Sequence, residues 1–286
     1  MNKKILILIL IIIGLTCVIV ISLMKINSYT HPPITIVTKK NPRDGADMVW
    51  VPAGSFMMGS PETRRKVTLD GFWIYKYEVT VKQFRNYCIK NKYHYDWKKN
   101  QPSYGWHDDN PMTNINWDEE DAYAKWAGGS LPTGAQWEKA ARGDDERKFP
   151  WGDGWDSEAS NDGDYYSNYN LYHNPRIIAT PKPVGSFPKD ISPYGVMDMA
   201  GNVFEDTADA YIGDVKLYAK IMSGENPHLP VKPETDEVCF RGGNYYYISF
   251  NLTWTGGTTY DPSSYLYDLG TRHFGDDMSG FRCVVP

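Results

Sequence analysis

Thiols, clustered oxygen donors and a tyrosine-rich tail are the groups in this sequence that could do chemistry. Cys88, Cys239 and Cys283 lie in the body of the chain, and Cys17 sits inside an N-terminal apolar run. Three body cysteines allow at most one disulfide and one free thiol, with Cys239–Cys283 the preferred pair because both sit near the ends of strand-like runs. The alternative is three small buried hydrophobes. His94, His107, His173, His228 and His273 are scattered with no metal-type spacing. The turn Gly201-Asn202-Val203-Phe204-Glu205 offers backbone carbonyls and two oxygen-bearing side chains, which suits a hard cation. In the other reading Asn202 and Glu205 only hydrogen-bond the loops around them.

The tail from Asn244 to Asp277 is biased toward Tyr, Ser, Thr, Asn and Asp. Tyr gives rigid amphipathic contact area at low entropic cost, and small polar neighbours adapt their hydrogen bonds, as in antibody binding loops. Tyr245, Tyr246 and Tyr247 are consecutive, so they cannot all point inward from a strand. Candidate ligand contacts are Tyr245, Tyr247, Ser249, Asn251, Trp254, Tyr260, Ser264, Tyr265, Tyr267, His273 and Asp276. An exposed aromatic patch of this kind usually marks an interaction site.

Several elements must position these groups. Thr80 reads as the cap of a helix through Phe84, Tyr87 and Cys88. A second helix starts near Asn116 or Trp117, with Asp118, Glu119 and Glu120 favouring the positive end of its dipole, and Gly128-Gly129 ends it. Thr133 caps a third, short helix over Gly134 to Arg142. Met48 to Gly59 and Val67 to Val79 read as short strands, as do Lys182 to Phe187, Val238 to Tyr247 and Gly280 to Val285. Between Gly143 and Asp209 regular structure thins, the mark of a functional or densely bonded irregular segment.

The N-terminus differs from the rest. Lys3 and Lys4 precede an apolar run from Ile5 to Met24, closed by Lys25, about the span of a bilayer core. Residues 1–25 are read as a transmembrane or signal anchor, residues 26–47 as a linker and residues 48–286 as the folded domain. A rival is a lipoprotein signal ending at Cys17. Under either reading the domain is extracytoplasmic, at the cell surface or the periplasmic face. The net charge is −5 with no basic stripe, which argues against nucleic acid as a partner.

The ordered local motifs resemble those of the formylglycine-generating enzyme, or sulfatase-modifying factor, family. They are Met48 to Ser60 (MVWVPAGSFMMGS), Phe72 to Phe84 (FWIYKYEVTVKQF), Pro111 to Trp126 and Gly129 to Gly143 (GSLPTGAQWEKAARG). After these come Phe149-Pro150-Trp151-Gly152, Tyr194 to Glu205 (YGVMDMAGNVFE), Arg241-Gly242-Gly243 and Gly280-Phe281-Arg282-Cys283. The resemblance implies that family's form of the C-type lectin fold. This is an α+β architecture with little regular secondary structure, two main helices and small twisted antiparallel sheets. It also carries a structural calcium role to Asn202 and Glu205, and to Asn161.

Departures from the family decide the expected function. Active members place two cysteines shortly after the Arg-Gly-Gly strand, where a copper-bound thiolate pair activates oxygen. By that spacing Tyr247 and Leu252 stand at those positions, and neither can supply the sulfur a soft copper centre wants. No copper is expected. The block Phe204-Glu205-Asp206 also departs, since the family commonly has Trp on both sides of the Glu. The tail further resembles the variable proteins of diversity-generating retroelements, whose adenine mutagenesis converts Asn-type codons to Tyr, Ser and Asp. The resulting expectation is a binding protein with a protein or glycan ligand on an inactive scaffold. The alternatives are an oxidoreductase with non-cysteine chemistry and a structural envelope subunit.

Overall fold

The computed structural model describes residues 34–61, 63–154, 156, 159, 180–212, 214–232, 237–245 and 276–286. The apolar run from Ile5 to Met24 lies outside them. Among the described residues no helix is long and apolar enough to cross a membrane.

Chain order is β1 (Thr38–Lys40), β2 (Asp47–Val51), β3 (Gly54–Met58), β4 (Arg65–Leu69), β5 (Phe72–Tyr75), α1 (Val81–Asn91), α2 (Trp117–Trp126) and α3 (Gly134–Arg142). Then come β6 (Phe204–Ala210), α4 (Val215–Ile221), β7 (Gly224–Glu225), β8 (Val238–Arg241), β9 (Ser279–Gly280) and β10 (Val284–Val285). They form three small sheets, ordered β1-β2-β5-β10, β3-β4-β7 and β8-β6-β9. Most pairings are antiparallel, but β4–β7 and β6–β9 are parallel.

All three expected helices are present, and each begins with a reciprocal capping box. Thr80 pairs with Gln83, Asn116 with Glu119 and Thr133 with Gln136. In each, the cap side chain accepts the third backbone N–H of the helix while the Gln or Glu reaches back to the cap, satisfying two otherwise orphaned donors. The strand expectations fare less evenly. Lys182 to Phe187 is turn, not strand. Gly280 to Val285 breaks at Phe281 to Cys283 into two short strands, β9 and β10, of different sheets. Strand β6 and helix α4 have no counterpart in the sequence reading.

The folded unit begins before Met48. Lys39 pairs with Met48 and Thr38 with Val49, so residues 38–47 form a hairpin with the first sheet and are not free linker. At the other end Val284 pairs with Ile74, tying the C-terminus to β5.

Two buried clusters fill the interior. One joins Val49, Ile74, Phe56 and Val67 of the first two sheets to Trp137 and Ala140 of α3. The other packs Phe84 of α1 and Tyr123 of α2 around Phe281. Phe84, Tyr87, Tyr95, Trp97 and Tyr123 meet mostly edge to face, with Tyr95 and Trp97 centroids 4.8 Å apart. Such geometry sets the positive ring edge against the negative face. Among the described residues, many of the aromatic side chains are thus spent on packing.

Candidate functional site

Strand β6 organises the C-terminal site. It pairs antiparallel with β8 on one side and parallel with β9 on the other. The chain leaves β8 through Gly242 and Gly243 to Tyr245, and the described residues resume at Asp276, just before β9. Both stems of the Tyr-rich segment therefore hang from one strand.

The Arg-Gly-Gly motif has a physical reason in this geometry. Gly242 has φ of +81°, and a Cβ on Gly243 would lie 2.7 Å from the Ala200 carbonyl oxygen. Only glycine fits both demands.

The stems are tied to each other and to the loops below. The Tyr245 N–H donates to the Asn202 carbonyl at 2.9 Å. The Tyr245 hydroxyl donates to the Asp277 carbonyl at 3.2 Å, and the Tyr104 hydroxyl donates to the same oxygen at 3.1 Å. The Tyr104 and Tyr245 rings meet at 86° with centroids 6.1 Å apart. Asp276 accepts at its carbonyl from the Asn114 N–H, and its Oδ1 accepts from the N–H groups of Met278 and Ser279.

Of the expected ligand contacts, Tyr245 and Asp276 are thus brought together, but as frame. Tyr245 is 4 % exposed, which corrects the expectation that it is a surface contact. Its position right after a buried strand, with an acceptor waiting in the other stem, draws it inward. Tyr247, Ser249, Asn251, Trp254, Tyr260, Ser264, Tyr265, Tyr267 and His273 lie outside the described residues, as do Leu252 and Asn161.

Asn202 and Glu205 are committed elsewhere. Both Glu205 oxygens accept from Arg282, at 2.6 Å each, and Oε2 also accepts from Trp137 Nε1 at 2.8 Å. Asn202 Oδ1 accepts the Lys182 N–H, while its Nδ2 donates to Glu78 at 3.2 Å and to the Lys182 carbonyl. A calcium ion would have to share the Glu205 carboxylate with the Arg282 guanidinium, a like charge already in place, so this pair does not fit one. Among the described residues no cluster of three or more His, Cys, Asp or Glu side chains could hold a metal.

Cys88, Cys239 and Cys283 are all free and buried, so the expected Cys239–Cys283 disulfide is absent. Cys239 packs in the first core cluster and Cys283 in the second. Burial pushes the Cys88 thiol up to about 11 and Cys239 up to about 12. These are structural thiols with little thiolate at neutral pH.

Two features escaped the sequence reading. The first is a buried carboxyl pair beneath the frame, Glu120 on α2 facing Asp206 on β6. Neither Glu120 oxygen accepts from an N–H donor, and its partner is the Asp206 carboxyl. Burial and the facing Asp206 hold Glu120 well above the usual carboxylate range. Burial, then Asp276, pushes Asp206 up to about 7. A proton shared between the two would satisfy both. The departure at Asp206 from the family's usual Trp was the available signal. The second is a cleft of about 660 Å³ between the Tyr104–Asn110 loop and residues 180–183, with Arg85 of α1 on its wall.

Small sheets around β6, capped helices and a long segment slung between β8 and β9 define a C-type-lectin-like scaffold of the formylglycine-generating-enzyme type. Residues 35–286 match the sulfatase-modifying factor enzyme 1-like domain, and the chain belongs to that family. It is 27% identical over 296 residues to the formylglycine-generating enzyme of Mus musculus, covering 81% of this chain and 75% of that one. It is 31% identical over 208 residues to the uncharacterized protein YfmG of Bacillus subtilis, covering 59% of this chain and 42% of that one. The inactive C-alpha-formylglycine-generating enzyme 2 of Mus musculus is 27% identical over 216 residues, covering 57% of this chain and 69% of that one. Among solved structures, PvdO from Pseudomonas aeruginosa superposes with a TM-score of 0.64 at 22% identity, covering 88% and 98% of the two chains. Treponema denticola variable protein 1 superposes with a TM-score of 0.55 at 17% identity, covering 87% and 99%.

Proposed function

We propose that this chain is a membrane-tethered, extracytoplasmic ligand-binding protein on a formylglycine-generating-enzyme-like scaffold, with residues 246–275 as its binding face. The observation that carries the reading is the locked base of that segment. Both stems flank β6 and are cross-tied through Tyr245, Asp277 and Tyr104. A rigid platform lowers the ordering cost of a contact surface and so raises affinity. The segment itself is rich in Tyr, Ser and Thr and has no cysteine.

Thiol-oxidase chemistry is not part of the proposal. Tyr247 and Leu252 stand where active relatives carry their cysteines, and the described thiols are buried. That one relative is named inactive fits a family in which the scaffold outlives the activity. The name of the Treponema variable protein fits the further proposal that the face is diversified. A near-copy of the coding segment beside a reverse transcriptase, differing only at adenines, would support diversification.

The direct test uses the full chain in detergent micelles against protein and glycan arrays. Ligands retained by wild type should be lost when Tyr260, Tyr265 and Tyr267 are changed together to Ala. Undiminished binding by that variant defeats the reading. Turnover of a cysteine-containing peptide by the copper-supplemented chain would favour the oxidoreductase alternative instead.

A further inference from the structure

The cleft beside the frame has walls fixed to one another. Asn110 Nδ2 donates to the Pro181 carbonyl at 3.1 Å, and the Val184 N–H donates to the Asp109 carbonyl at 2.9 Å. Its rim also reaches the two stems of the Tyr-rich segment, because Tyr104 lines the cleft and at the same time donates to the Asp277 carbonyl and packs on Tyr245. A ligand that reaches those stems can therefore extend into it.

The lining limits the ligand's chemistry. Arg85, Lys182, Asp108 and Asp109 all line the cleft, so their four formal charges cancel. Arg85 is already ion-paired to Asp108. The Asp109 carboxylate and the Lys182 ammonium have no side-chain partner and are exposed. A strongly charged ligand meets as much repulsion as attraction in a lining whose formal charges cancel. A neutral ligand dense in hydroxyls gains charge-assisted hydrogen bonds from both free groups. Tyr104 and Trp106 add aromatic surface to the lining, against which the C–H face of a pyranose ring can pack. The volume, about 660 Å³, lies in the range of small-molecule sites.

We propose that this cleft is a fixed carbohydrate subsite that takes one or two neutral sugar units, with Asp109 and Lys182 as the hydroxyl-binding groups. The proposal rests on the binding-face reading and names the ligand class for it. It also separates two kinds of contact, an unvarying sugar grip in the cleft and a second set of contacts from residues 246–275.

Saturation-transfer NMR on the full chain in detergent micelles tests it, with free glucose, galactose, mannose and N-acetylglucosamine as probes. Transfer to at least one sugar is expected. Asp109→Ala with Lys182→Ala should weaken it about tenfold or more, the loss that follows from two oriented hydrogen bonds. Both side chains are exposed and unpaired, so the variant should keep the wild-type unfolding midpoint. Tyr265→Ala with Tyr267→Ala should leave transfer to free sugar intact while abolishing array binding. No transfer to any of the four sugars, or transfer unchanged in the Asp109/Lys182 variant, overturns the subsite. Failure of the binding face would appear separately, as array binding that survives the tyrosine changes.

Discussion

Arg282 grips Glu205 with two parallel hydrogen bonds of 2.6 Å, Nε to Oε2 and Nη2 to Oε1, and both side chains are fully buried. The same guanidinium donates to the carbonyls of Tyr75, Lys76 and Met197. One residue of the C-terminal Gly-Phe-Arg-Cys motif thereby fastens β6 to the end of β5 and to the loop before the Gly201 turn. Removing one partner strands a charge in the interior. Arg282→Met should cost about 3–5 kcal/mol, measured by urea unfolding. Glu205→Gln should be destabilising to a similar degree with calcium or with chelator. A loss for Glu205→Gln that appears only when calcium is present would restore a metal role for that side chain.

The three described cysteines should behave as buried, unpaired thiols. Alkylation by iodoacetamide at pH 8, read peptide by peptide, should leave Cys88, Cys239 and Cys283 unmodified in the folded chain. All three should label in denaturant without added reductant. Raised thiol pKa values and burial act in the same direction here, since the thiolate is the reactive form. A requirement for reductant before Cys239 or Cys283 labels would reveal a disulfide.

Local signals were legible in the sequence and long-range ones were not. The helices could be read from Thr80, Asn116 and Thr133 because a capping box is complete within four residues. Strand β6 carries Glu205, Asp206, Thr207 and Asp209, a polar run that reads as loop. It becomes a central strand only because Arg282, Glu120, the Cys239 carbonyl and the Gly134 N–H wait for those side chains. The same limit hid the fate of Tyr245, whose hydrogen-bond acceptor lies in the opposite stem at Asp277. It also hid the opening hairpin, where Asn41 donates to Tyr75 and to the Ala127 carbonyl across the chain. Family motifs supplied the architecture, but the donors of the Asn202–Glu205 turn could be assigned only once their partners were in view.

Tyr245 should act on binding through stability of the frame. Tyr245→Phe keeps the ring against Tyr104 and loses one hydrogen bond, at a cost of about 1 kcal/mol. Tyr245→Ala also empties a buried aromatic site and should cost about 3–5 kcal/mol. Urea unfolding gives both numbers. Array binding should be close to wild type in the Phe variant and lost in the Ala variant, the pattern of a supporting residue. Full loss of binding in Tyr245→Phe, with stability unchanged, would instead make the hydroxyl a direct contact.

The Glu120–Asp206 pair should make the fold less stable as pH rises. Burial raises both carboxyls, reinforced by Asp206 at Glu120 and by Asp276 at Asp206, with Asp206 moving from 3.8 to about 7, so the folded chain holds protons that the unfolded chain releases. The stability tied to the protonated pair is complete below the ordinary carboxylate range. It is lost progressively as pH climbs from about 4 through about 7, with a slope set by the proton difference. The groups surrounding the pair do not offset this, since Glu119 and Asp276 are also acidic and nearby Cys283 is a neutral buried thiol. Asp206→Asn keeps the shape and removes the titrating group, and its amide can donate to Glu120. It should therefore be more stable than wild type at pH 8 by about 1–3 kcal/mol, the order expected for a shift of one to a few pKa units. The gap should narrow toward pH 5, where the wild-type pair is protonated. Urea unfolding midpoints at pH 5, 6, 7 and 8 for both proteins would show the converging curves. Parallel curves would mean that the two carboxyls titrate together with a counter-charge, and the shared proton would be ruled out.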